Sequence, residues 1–159
     1  MVCQSFLSSV LRAQSQRADK PFGVTWEGHW LVWEQGAFKV PPRSAMRTMP
    51  FEAHTGGVAP PRDVLCFFIG KASAQSLTIG RDLGCDIAIN DGTVSRHHAE
   101  LLAEQGAWFV RVVDGREASL EGTVVTASGV PLKPGQVLKI GGVELSFHDT
   151  QSLLQRITR

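Results

Sequence analysis

The spacing of apolar residues changes several times along the chain. From Cys3 to about Arg17, Phe6, Leu7, Val10 and Leu11 recur at helical intervals, with Gln4, Ser8, Arg12 and Gln16 on the other side. That period predicts a short amphipathic helix, too short to be stable unless it docks on something. The stretch FGVTWEGHWLVWEQGAFKVPPR, residues 22–43, then holds three of the four tryptophans, Trp26, Trp30 and Trp33, punctuated by Gly23, Gly28 and Gly36. It reads as one or two short strands or an extended arm. Its rings either cover one edge of the domain or offer a partner-docking surface, since exposed Trp often anchors interfaces. From Pro41 to Arg62 the apolar period vanishes. Pro41, Pro42, Pro60 and Pro61 disfavour helix and sheet interior, which predicts an extended linker.

From Val64 the period becomes that of strands. VLCFFIG is a short apolar run, SLTIG alternates through Leu77 and Ile79, and DIAIN alternates through Ile87 and Ile89. HAELL follows, then AWFVRVVD, in which Trp108, Val110 and Val112 share a face. QVLKIGGVELSFHD predicts a hairpin, its two strands joined by Gly141-Gly142, a pair that supplies the positive φ such turns need. Many short strands with Gly and Pro turns imply an all-β sandwich of two antiparallel sheets. Asp149 stands where it would cap a last helix, TQSLLQRIT, with Leu153, Leu154 and Ile157 apolar. The predicted organisation is an N-terminal helix over 1–20, a Trp-rich arm and Pro-rich linker over 21–62, the sandwich over 63–149 and a C-terminal helix over 150–159.

Composition narrows the function classes. The chain has 159 residues, with 16 Lys+Arg against 15 Asp+Glu, a balance that does not argue for nucleic-acid binding or a polybasic membrane anchor. A 43% apolar fraction supplies one core. There is no run of about 18 apolar residues to span a membrane, and the first residues lack the pattern of a secretory signal. Cys3, Cys66 and Cys85 are odd in number and form no C-x-x-C pair. They suit a reducing, cytoplasmic setting better than a disulfide framework or a zinc site.

Candidate chemistry concentrates in GTVSRHHAELL, residues 92–102. As nucleophile and base, Ser95 and His98 lack a G-x-S-x-G elbow and an obvious acid to orient the ring. As metal ligands, His97 and His98 are neighbours on a strand and point to opposite faces, with no third ligand at metal spacing. No cofactor is implied. Phosphate recognition fits better, because it needs hydroxyl and guanidinium donors on loops held by a rigid scaffold. Arg81 ends one strand, while Ser95 and Arg96 precede another, so both can face one end of the sandwich. The plainer alternative is that Arg81 pairs with Asp82, Asp86 or Asp91 and that Ser95 caps a turn.

The residues TIGRDLGCDIAINDGTVSRHHAEL resemble the forkhead-associated (FHA) domain. The matching elements are Gly80-Arg81, the strand Asp86-Ile87-Ala88-Ile89, and Ser95-Arg96-His97-His98. SLEGTVV is similar to the family's Ser-x-Asn-Gly-Thr-x-Val, and LKPGQVLKIGGVELSF to its last hairpin. The resemblance covers roughly Val64 to Asp149. With the N-terminal helix, the arm and the closing helix, the chain also looks similar to FHA proteins of myxobacteria.

The resemblance implies a non-catalytic module that binds phosphothreonine peptides in bacterial Ser/Thr kinase signalling. By it, Arg81 contacts the phosphothreonine, Ser95 donates to a phosphate oxygen and Arg96 adds charge or holds the loop. His98 braces the loops, Gly80 and Gly122 permit turns, and Thr123 holds the adjoining loop. One departure is Glu121, where the family has Asn. At roughly 7 Å and an effective dielectric of about 40, its carboxylate would repel the dianion by on the order of 2 kcal/mol, which predicts a weakened site. The loop before it, DGREASLEG, is also longer than the family's; its Arg116 could offset Glu121, or Glu121 could pair with Arg81. Thr126 replaces a second Asn. The alternative function is a degenerate FHA scaffold whose phosphorylation-independent partners dock through Trp26, Trp30 and Trp33.

Overall fold

The computed structural model describes residues 3–17, 21–34, 64–72, 75–113 and 115–158. Twelve strands and three helices are formed among them. Seven strands make the larger sheet: β1 (Gln4–Leu7), β3 (Leu65–Gly70), β2 (His29–Trp33), β12 (Val143–Asp149), β11 (Val137–Ile140), β8 (Ala118–Leu120) and β9 (Thr123–Val124), in that spatial order. The smaller sheet orders β10 (Val130–Pro131), β7 (Ala107–Val112), β6 (Ala99–Glu104), β4 (Ser76–Gly80) and β5 (Ile87–Ala88). The helices are α1 (Ser8–Ser15), α2 (Phe22–Thr25) and α3 (Thr150–Ile157). This is the β-sandwich expected, with its short terminal helices. The linker expected over 41–62 lies outside the described residues.

Period-two burial builds the main core. Leu77 and Ile79 from β4, Leu101 from β6, Trp108 and Val110 from β7 face Leu31, Phe67, Leu138, Leu145 and Phe147 of the larger sheet. The Gly141-Gly142 hairpin forms as predicted, with Ile140 opposite Val143. Asp149 caps α3 by accepting from the Ser152 amide at 2.7 Å.

Two elements differ from the sequence reading. Residues 4–7, expected in the first helix, form β1, paired with β3 in the register Gln4↔Phe68 to Leu7↔Leu65. The edge of β3 supplies hydrogen-bond partners that local helical period cannot see. Within the tryptophan stretch, His29–Trp33 form a strand, one of the alternatives expected, but not an edge cover or an arm: β2 lies between β3 and β12 and is buried on both faces. The sheet thus includes strands from before residue 63. Leu31 and Trp33 enter the inter-sheet core, while Trp30 and Val32 enter a second core on the sheet's outer face. That second core joins Leu11 of α1, Phe22 of α2, Cys66 of β3, and Leu153 and Ile157 of α3. Trp30 and Trp33 are buried and Trp26 half-buried, so the docking role expected of these rings is corrected. They are packed inside the fold because a strand covered on both faces needs apolar side chains throughout.

The outer layer holds one buried histidine. His148 shares hydrogen bonds with the Ser152 hydroxyl at 2.7 Å and the Ser146 hydroxyl at 3.0 Å. Burial and then the charge of Arg156 push its pKa down from 6.5 to about 4. Between those values the unfolded chain takes up the proton and the folded chain does not, so stability falls as pH drops from 6.5 toward 4. The expected loss is on the order of 2 kcal/mol, read as a lower urea midpoint at pH 4.5 than at pH 7. A His148→Gln variant that keeps the whole pH slope would contradict it.

Candidate functional site

Three loop segments and one hairpin turn meet at one end of the sandwich. Backbone hydrogen bonds tie them together. Arg81 N donates to Ser95 O at 2.9 Å, Asp82 N to Arg96 O at 3.2 Å, and Ile89 N to Gly80 O at 2.8 Å. The loop from β4 to β5 therefore lies directly on the segment before β6. Gly80 makes that approach possible, since a Cβ there would stand 2.0 Å from Arg96 O. Burial raises the Cys85 thiol pKa, which keeps the thiol protonated, and it donates to the same carbonyl at 3.3 Å.

The segment before β6 is held from its other side as well. Asp91 accepts from the Thr93 amide at 2.8 Å and from its hydroxyl. The Thr93 hydroxyl oxygen in turn accepts from Gly142 N at 2.7 Å. The β11–β12 turn thus rests against the loop that carries Ser95. Ile140 pairs with Ala118, so the start of β8 lies beside this turn.

His98 locks the third segment to the second. Its Nδ1 accepts from Ser95 N at 3.1 Å, which leaves the proton on Nε2, and Nε2 donates to Glu117 O at 2.7 Å. The ring is buried. Both nitrogens are committed to backbone groups, so the ring is not placed to take a proton from Ser95 Oγ. His97 is exposed and belongs to no potential metal cluster among the described residues.

Arg81 and Arg96 are exposed and Ser95 is half-buried. Among the described residues, no side-chain hydrogen bond or ion pair engages either guanidinium or the Ser95 hydroxyl. The carboxylates that could have neutralised Arg81 are bound elsewhere. Asp82 accepts from Gly84 N at 2.9 Å, and Asp91 serves Thr93. Asp86 accepts from the Thr78 amide at 2.9 Å and hydroxyl at 3.1 Å. Burial alone would raise the Asp86 pKa, but hydrogen bonds, that from the Thr78 amide first among them, help to hold the carboxyl below its usual value. What remains is a hydroxyl and two guanidiniums with free donors on neighbouring, hydrogen-bonded loops, an arrangement suited to a phosphate.

The structure brings Gly80, Arg81, Ser95, Arg96 and His98 together. It does not bring Glu121, Gly122 and Thr123 to them. Burial of Ala118 and Leu120 fixes the register Leu138↔Leu120 against β11, so the β8–β9 turn lies at the far end of β8. Glu121 is about 13 Å along the chain from Glu117, four residues of extended backbone. Glu121 and Gly122 form a two-residue hairpin turn, with φ of 49° and 81°. The Glu121 carboxylate accepts from Val137 N at 2.7 Å and not from Arg81. The weakening argued from its charge is therefore corrected: the carboxylate faces β11 and not the phosphate loops. The residue that His98 draws to the Ser95 loop is Glu117, preceded by Arg116, both exposed. Two residues flanked by strands and ending in Gly are a hairpin signal, and that signal in LEGT was the clue to the true place of the turn.

Comparison with known proteins agrees with this architecture. The family described as "Inner membrane component of T3SS, cytoplasmic domain" (Yop-YscD_cpl) matches residues 71–151. Among solved structures, the FHA domain of the CT664 protein from Chlamydia trachomatis is similar at 16% identity, over 76% of this chain and 96% of that one, with a TM-score of 0.53. The N-terminal FHA domain of S. cerevisiae RAD53P, in complex with a phosphothreonine peptide, is similar at 17% identity over 80% and 98%, with a TM-score of 0.51. An FHA domain of an Arabidopsis thaliana hypothetical protein is similar at 17% identity over 77% and 86%, with a TM-score of 0.51. These likenesses show the fold, an FHA β-sandwich. No curated protein matches the chain. Among the described residues, no helix is long and apolar enough to cross a membrane.

Proposed function

The chain belongs to the family of cytoplasmic domains of the inner membrane component of T3SS, and we propose that it is a non-catalytic module that binds phosphothreonine peptides in bacterial Ser/Thr kinase signalling. The observation that carries this reading is the trio Arg81, Ser95 and Arg96. Among the described residues their side-chain donors are free, while backbone bonds from Arg81 N to Ser95 O and from Asp82 N to Arg96 O hold the two loops together. A phosphothreonine brings nearly two negative charges and three strong acceptors. Each charge-assisted hydrogen bond contributes about 1.5–3 kcal/mol, and ordering costs reduce the sum to the affinity of a reversible switch. The RAD53P domain of like fold was solved with a phosphothreonine peptide, which supports a phosphothreonine ligand for this chain. His98 acts as a brace and not a base, which supports a binding role over catalysis. The family's description supports a cytoplasmic location.

The test is a phosphothreonine peptide library passed over the protein, followed by affinity measurements on the enriched peptides. Arg81→Ala is expected to weaken the best peptide roughly ten- to hundredfold. Its melting temperature should not change, because the side chain has no partner among the described residues. Equal retention of phosphorylated and unphosphorylated peptides would sink the proposal and favour the scaffold reading.

A further inference from the structure

Leu83 sits on the loop from β4 to β5, two residues after Arg81, and is 85% exposed, more than any other large apolar residue described. A single exposed leucine is ordinary; this one is held where it is. Asp82 N is bound to Arg96 O at 3.2 Å, Cys85 N to Asp82 O at 3.0 Å, and Gly84 N to the Asp82 carboxylate at 2.9 Å. Cys85, two residues on, is buried with its thiol on Arg96 O. These bonds fasten the residues on both sides of Leu83, so its side chain cannot turn inward without breaking them. An apolar group fixed in water beside free phosphate donors is pre-organised to meet a ligand.

We infer that Leu83 is a specificity-determining residue of the phosphothreonine site and selects peptides with a large apolar side chain flanking the phosphorylated residue. The inference rests on the phosphothreonine reading and deepens it. Arg81, Ser95 and Arg96 hold the phosphate, which carries no information about its neighbours. Leu83, fixed on the same loop as Arg81, meets the flanking side chain and buries apolar area with it. An aliphatic or aromatic residue gains from that contact; a charged one would have to lose its water there.

The experiment compares the native chain with Leu83→Ala and Leu83→Met on a phosphothreonine peptide library randomised on both sides of the phosphothreonine. The native chain is expected to enrich Leu, Ile, Met or Phe at one flanking position. Leu83→Ala should lose about tenfold in affinity for the preferred peptide and none for the same peptide with Ala at that position. Leu83→Met should keep the preference. All three should melt at the same temperature, because the side chain contributes nothing to the core. Phosphothreonine enrichment without an apolar preference, or a preference that survives Leu83→Ala, overturns the role of Leu83 and leaves the phosphate site standing. No phosphothreonine enrichment at all overturns both.

Discussion

Replacing Trp30 with alanine is expected to lower the unfolding free energy by about 3–5 kcal/mol, a fall of roughly 10 °C in melting temperature for a chain of this size. Trp30 is fully buried at the centre of the aromatic layer between the larger sheet and the helices. Its ring lies 4.8 Å from that of Phe68, 5.7 Å from Trp26 and 6.3 Å from Phe22, measured between centroids. Its indole N–H donates to the Thr150 hydroxyl at 3.2 Å, which links β2 to the start of α3. Alanine would leave a cavity and unseat both terminal helices from the sheet. Phosphothreonine binding, measured below the new melting temperature, should stay within a few fold of native, because the loops lie at the end of the sandwich and not on this face. A melting temperature within 2 °C of native would contradict the packing described. Such a result, joined to loss of a phosphate-independent partner, is what surface docking through Trp30 would require.

The sandwich was legible wherever one strand face met the core and the other met solvent or a neighbour. SLTIG, AELLAE and AWFVRV alternate, and each became a strand. The hairpin at Gly141-Gly142 and the cap at Asp149 were also legible, because both are local. β2 was not. HWLVW is buried on both faces, so it carries no alternation, and its place beside β12 is a contact across more than 110 residues. β1 was hidden for a related reason, since Phe6, Leu7, Val10 and Leu11 satisfy a helical period that the free edge of β3 overrides. At the candidate site, Gly80-Arg81 and Ser95-Arg96-His97-His98 could be read because each motif is contiguous and its geometry follows from short loops. The other side was misplaced. SLEGT resembles a binding motif, yet the register of β8 on β11 moves it away, and that register depends on Ala118 and Leu120 both reaching the core. Leu83 gave no sequence signal, because its exposure depends on hydrogen bonds between loops that no pattern displays.

The tightest constraint at the site is spatial, and Gly80→Ala tests it. The added Cβ would stand 2.0 Å from Arg96 O, 2.7 Å from Arg96 C and 2.9 Å from the Cys85 sulfur. Backbone cannot yield as the tip of a flexible side chain does, so the carbonyl must retreat by about 1 Å or more to reach ordinary contact. That carbonyl accepts from both Asp82 N and the Cys85 thiol, and both bonds would lengthen. Overpacking together with the weakened bonds is expected to cost about 3 kcal/mol. The displacement also carries Ser95 and Arg96 away from Arg81, and a binding constellation loosened by that much loses its geometry. Phosphothreonine affinity should therefore fall at least tenfold at temperatures where the variant remains folded. Gly84→Ala on the same loop is the control, since its Cβ would meet only the Asp82 carboxylate at 3.4 Å, an ordinary contact. It should bind and melt close to native. Were Gly80→Ala to match it in both measurements, the close approach of the two loops could not be what holds the arginines and the serine in register.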